Sequence, residues 1–292
     1  GAGSGHTSRA VRRRRNAHPS ASRDAIAISG CSGAHMLSAP LIPIIAPDMK
    51  KIAIVHENDK FSTDVSTAVN DYATAQGYEI VMFEGYDSGT TDFAPFINKI
   101  QEAAPDAILG GGHFQDGSTF ARQLAEKGIA APYVALLVAP PEPKFAELGD
   151  AALGIIGPSQ WEPQAAYSEE SAKAANLPWY GPSVDDFVAA YSAKFGEEPS
   201  YHAAGGYVAG LILQEAIERA GTTDSAAVAK ALDETDMLTF FGHIKFNTTP
   251  EKHGLQEGHE MVYVQWQSGE GDILTKQIIW PEDAATADAI TR

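Results

Sequence analysis

From residue 51 the chain repeats one pattern: a short apolar run, a polar break, then apolar residues spaced for one face of a helix. Ile52-Ala53-Ile54-Val55 is unbroken and apolar, as in a parallel strand covered on both faces. Val65, Val69, Tyr72 and Ala73 follow at i, i+4, i+7 and i+8, and Gly77 closes that helix. Glu79–Glu84 is the next strand, and Phe93, Phe96, Ile97 and Ile100 are the buried stripe of a second helix. Ala107–Gly110 is a third strand, followed by a helix carrying Phe120 and Leu124 and ended by Gly128. Tyr133–Ala139 and Gly154–Gly157 continue as strands four and five. The early strands recur about every 27 residues, the length of a strand–helix unit, which predicts an α/β fold with a doubly wound parallel sheet.

After Pro158 the rhythm changes. Gln164–Pro182 reads as a loop, and Val184, Phe187, Val188, Tyr191 and Phe195 mark a helix. Ala203–Arg219 is apolar around most of its circumference, and Gly205, Gly206 and Gly210 predict close packing in an interior. A helix at Ala226–Leu232 and strands at Gly242–Phe246, Met261–Trp266 and Ile273–Trp280 complete the chain. The helices between 183 and 233 have no strands of their own to cover.

Composition adds limits. The 44% hydrophobic content suffices for a core, and a net charge of −17 argues against nucleic acid and anionic membrane surfaces as partners. No run approaches the roughly 18 apolar residues that span a bilayer. Cys31 is the single cysteine, so no internal disulfide and no cysteine-based zinc site are available. Ahead of Ala46 six arginines stand against Asp24 alone, a net +5 that leaves −22 for the remainder. Residues 1–46 are therefore expected to be a disordered or non-native leader. Ile28-Ser29-Gly30-Cys31 resembles a lipoprotein cleavage box, but the apolar stretch before it is short for a signal.

In open parallel sheets, ligands bind beyond the carboxyl ends of the strands, which here are the loops His56–Phe61 and Gly110–Asp116. Catalytic signatures are lacking: there is no G-x-S-x-G, H-E-x-x-H or G-x-x-x-x-G-K-[ST], and Gly110-Gly111-Gly112 lacks the dinucleotide spacing. Glu57/Asp59 and Glu142/Glu147 read as solvated acids, and His243, His253 and His259 lack metal-ligand spacing. No enzyme activity, cofactor or metal is expected.

Five stretches in order carry a resemblance: KKIAIVHENDKFSTDV, TTDFAPFINKIQEAAPDAILGGG, GPSQWEP, PSYHAAGGYVAGLILQEAIERAG and FFGHIKFN. Over about residues 47–281 the chain resembles the branched-chain-amino-acid-type (type I periplasmic) substrate-binding proteins of ABC transporters. The resemblance implies two α/β lobes closing on a small ligand, with lobe two at 47–157 and 240–281. It makes 158–239 a partial lobe one and 282–292 a tail. The opening strand–helix units of lobe one have no counterpart here, so weak ligand binding by this chain is expected.

The resemblance also implies a periplasmic or lipid-anchored monomer that delivers an amino acid or related carboxylate to a permease. A ligand-sensing module of the same fold is the alternative. Carried over residue by residue, it puts Phe61, His113 and Phe114 against the ligand from lobe two. Phe61 has a second reading, as a helix-start staple on Val65. Gln160 and Trp161 fall at the crossing between lobes, where an aromatic either walls the cleft or packs structurally. Tyr201, with His202, reaches the cleft from lobe one or else serves core and capping roles.

Overall fold

The computed structural model describes residues 46–292 apart from 165, 166 and 260. The expectations for residues 1–45, Cys31 among them, fall outside that range. The elements run β1 (Lys51–Glu57), α1 (Lys60–Ala75), β2 (Glu79–Tyr86), α2 (Ala94–Ala103), β3 (Ala107–Gly111), α3 (Phe114–Glu126) and β4 (Tyr133–Leu136). A 3-10 segment, Pro143–Ala151, leads to β5 (Ile155–Ser159). Then come α4 (Glu169–Ala175), α5 (Val184–Phe195), α6 (Tyr201–Ala220), α7 (Ser225–Asp233), β6 (Asp236–Thr239), β7 (Gly242–Lys245), β8 (Val262–Ser268) and β9 (Leu274–Trp280).

Seven strands form one sheet in the order β2-β1-β3-β4-β5-β8-β9, parallel from β2 to β5 and antiparallel from there on. The apolar runs predict this arrangement because their alternate residues serve opposite faces. Ala53 and Val55 meet Ile97, Phe120 and Leu124 on one side, whereas Ile52 and Ile54 meet Val65 and Val69 on the other. Helix α1 thus covers one face and α2 with α3 the second. The Asp106 carboxylate accepts the backbone N–H of both Lys50 and Lys51 at 2.8 Å, joining the entry of β1 to that of β3.

The second unit is built on helices. Trp161, Phe187, Val208, Phe240, Phe241 and Ile244 form its core, with α5 and α6 packed on the hairpin β6–β7. This moves one expected boundary. Residues 240–246 do not return to the large sheet, since β6 and β7 pair with each other and bury Phe240 and Ile244 beside Trp161. The chain rejoins the sheet at Val262, opposite Ser159. Two other boundaries shift likewise: Ala46 is fully buried in the sheet unit, and the last residues dock on it, with the Arg292 N–H donating to the Pro132 carbonyl at 3.0 Å.

Helix α6 departs from its expected burial. Only Ala204, Val208 and Ala216 are buried, while Tyr207 and Leu213 are 46% and 49% exposed. A methyl group added at Gly206 or Gly210 would meet nothing within 4 Å. The helix has one face on its neighbours, and none of the described residues covers the other.

Candidate functional site

A cleft of about 680 Å³ opens between the two units, beyond the carboxyl ends of β1 and β3. Phe61, Asp64 and His113 line it from the sheet unit, and Tyr201, His202, Gly205 and Gly206 from the start of α6. Leu137, Val138, Pro158, Gln160 and Met261 close the back, near the crossings between units.

Local chemistry fixes the sheet-side wall. Asp59 caps α1, its carboxylate accepting the N–H of Phe61 at 2.9 Å and of Ser62 at 3.1 Å. Burial pushes the Asp59 carboxyl up, but the bonds from Ser62 and Phe61 together outweigh it and hold the group below its ordinary value. His113 precedes α3, and its N–H donates to Asp116 at 2.9 Å. The Tyr86 hydroxyl donates to the same carboxylate. Glycine at 112 leaves room for the Asp116 carboxylate and the Tyr86 hydroxyl, which a Cβ there would displace. The glycine run thus serves close packing.

The His113 ring is anchored on its neighbour strand. Its Nδ1 lies 2.7 Å from Glu57 Oε2, and its centroid is 6.0 Å from that of Phe61. The hydrogen bond to Glu57 raises the imidazole above its ordinary pKa, against the opposing effect of burial. Asp59 stands close enough that one donor atom from each of Glu57, Asp59 and His113 lies within 4.8 Å of the others. On the helical side, His202 Nδ1 meets Glu142 Oε1 at 2.7 Å, a pair that bridges the two units. Tyr201 lies against His202 with centroids 4.0 Å apart, and burial, followed by the charges of Glu142 and Glu162, pushes its hydroxyl pKa up.

The structure therefore brings Phe61, His113, Gln160 and Tyr201 together around one cleft and leaves Phe114 and Trp161 out of it. Phe114, the first residue of α3, turns toward the core shared by Phe93 and Phe120. Trp161 is 2% exposed, donates from Nε1 to the Phe240 carbonyl at 3.1 Å, and meets Phe187 and Phe240 edge to face. Its carbonyl-bonded indole and aromatic neighbours make it a core residue of the helical unit, not a cleft wall. Asp64, Gly205 and Gly206 were not among the expected residues; the helical spacing of Asp64 one turn after Phe61 was the available signal.

Between the units, Glu162 and Lys276 form a nearly fully buried ion pair at 2.7 Å. Burial raises the Glu162 carboxyl and the Lys276 ammonium counters it. His259 bonds through Nε2 to the Gln160 carbonyl and stacks on Phe241 at 4.9 Å; its Nδ1 is buried with no partner among the described residues.

The family model of periplasmic binding proteins matches residues 28–271. The chain belongs to the periplasmic binding protein family. Among curated relatives, a Leu/Ile/Val-binding protein homolog 7 from Brucella melitensis is 26% identical over 256 residues, 87% of this chain and 61% of the relative. A homolog 8 from Brucella abortus is 27% identical over 259 residues, 86% and 60% of the two chains. The chain thus spans about three fifths of the length of the curated relatives it matches.

Solved members of this periplasmic binding protein family share the fold. A leucine-binding protein from Thermotoga maritima superposes with a TM-score of 0.66 at 22% identity, over 86% of this chain and 65% of its own. A branched-chain amino acid transporter substrate-binding protein from Streptococcus pneumoniae, in complex with isoleucine, gives 0.64 at 20%, over 85% and 66%. A solute-binding protein from Rhodopseudomonas palustris, in complex with 3,4-dihydroxybenzoic acid, gives 0.60 at 23%, over 84% and 62%. The fold is the type I periplasmic binding protein fold, a doubly wound sheet lobe joined to a helical second unit. Among the described residues no helix is long and apolar enough to cross a membrane.

Proposed function

We propose that this chain is part of a non-enzymatic, extracytoplasmic solute-binding protein that captures an amino acid or related carboxylate for an ABC-transporter permease. The supporting observation is the cleft itself: an aromatic and imidazole wall on the sheet unit faces a second one on the helical unit across one opening. A ligand touching both walls stabilises the closed arrangement, so its differential contacts supply the free energy of hinge closure. The relatives named for leucine, isoleucine and valine and the isoleucine-bound neighbour support the amino-acid class.

The lining also bounds the affinity. Among the described residues no lysine or arginine lines the cleft, and both of its imidazoles, His113 and His202, already bond a protein carboxylate, so a ligand carboxylate finds no cation free to pair with it. Charge-assisted hydrogen bonds are worth about 1.5–3 kcal/mol each, and two missing ones weaken binding by about a hundredfold or more. Binding of leucine, isoleucine or valine by this chain is expected at about millimolar or weaker. Chemical-shift mapping with these amino acids and with dihydroxybenzoate tests the reading. Shifts focused on Phe61, His113 and Tyr201, lost in Phe61→Ala, are expected. A panel in which no compound perturbs the cleft would overturn it.

A further inference from the structure

We propose that Glu57, Asp59 and His113 form a binding site for a divalent transition-metal ion of the zinc class on the sheet-side wall of the cleft. The three donors come from the carboxyl ends of neighbouring strands: Glu57 ends β1, Asp59 caps α1 and His113 follows β3. An ion with bonds of about 2.0–2.2 Å holds its donors roughly 3–3.5 Å apart. The present separations, from 2.7 Å between Glu57 and His113 up to 4.8 Å, bracket that spacing. Small rotations of the Glu57 and His113 side chains, parting them and bringing both toward the capping Asp59, open the seat.

The donor set selects the ion. One imidazole with two carboxylates suits zinc and its neighbours better than magnesium or calcium, which take oxygen alone. Each Asp59 carboxylate oxygen accepts one backbone N–H, from Phe61 and from Ser62, which leaves further lone pairs and a fixed orientation. The charge is also unbalanced. Among the described residues neither Glu57 nor Asp59 pairs with a lysine or arginine, and Asp64 lies on the same wall with Lys60 as its partner. Three protein donors leave coordination positions for water or an exogenous carboxylate, and of the three His113 is the one that lines the cleft. A metal there adds positive charge at the His113 edge of the cleft. The site itself does not depend on the amino-acid reading.

Calorimetric titration of chelator-treated protein with zinc chloride, without any amino acid, provides the test. One ion per chain is expected, and cobalt(II) substitution should give the visible absorption of a low-coordinate site. Asp59→Asn retains the helix cap, and Glu57→Gln retains a bond to His113, so both variants should melt like the parent without metal. Each of these, and His113→Asn, should weaken zinc at least about tenfold. Cys31→Ser and His253→Asn, the latter a histidine outside the cleft lining, should leave it unchanged. The proposal is overturned if zinc does not bind, if the three variants bind it as the parent does, or if Cys31→Ser abolishes it.

Discussion

Every residue of β3 and of β5 is buried, whereas α6 buries only Ala204, Val208 and Ala216 of its twenty residues. Both stretches are apolar in sequence, yet they end in opposite surroundings. In the central strands of the sheet unit the apolar positions have partners on defined faces: Ile54 meets the α1 side and Val55 the α2–α3 side. In the helical unit the hairpin β6–β7 offers one face only, so Leu213 stays half exposed and Tyr207 packs on Phe187 and Phe240 from the rim. Hydrophobic content marks what can be buried. The supply of covering surface decides what is.

The largest expected effect tests the saturated half. Ile54→Asp puts a carboxylate into a strand covered on both faces and should cost at least about 4 kcal/mol, seen as loss of a cooperative melt. Next, Lys276→Met leaves the buried Glu162 carboxyl without its counter-charge, and should cost about 3–5 kcal/mol in urea unfolding.

A smaller effect depends on pH. Burial lowers the His259 pKa from its ordinary 6.5, so the unfolded chain binds the proton more readily. Its contribution to stability is full above pH 6.5 and declines as pH falls toward the folded-state value. Melting temperature should therefore fall more steeply between neutral and mildly acidic pH in the parent than in His259→Gln. The smallest change is expected on the uncovered face. Leu213→Ser should alter stability by no more than about 0.5 kcal/mol, and a loss of 2 kcal/mol or more would show that this face is covered in solution.

The same contrast explains what was legible from residues alone. The strand–helix repeat was plain because burial on both faces leaves unbroken runs such as Ile52–Val55. β6 escaped notice because Asp236-Met237-Leu238-Thr239 has only two apolar residues between polar ends. The short helix α4 lay hidden in a stretch read as loop, although Ser168 caps it. In the cleft, Phe61 and His113 follow from being next to strand ends, a property of topology. Phe114 and Trp161 show the limit of that argument: position near a strand end does not say which way a ring turns, and both turn into cores. The grouping of Glu57 and Asp59 with His113 had no local spacing to reveal it, since strand register alone brings His56 beside Gly111.

Ser159 and Val262 face each other across β5 and β8, so the whole helical unit is in topological terms one loop between two adjacent antiparallel strands. Closing a loop of about a hundred residues in place of a tight hairpin costs only about 3 kcal/mol more in chain entropy, since the cost grows with the logarithm of length. The sheet therefore carries its second unit at small thermodynamic expense. By the same reasoning, that unit can lengthen, shorten or move relative to the sheet without altering the register that holds β5 to β8.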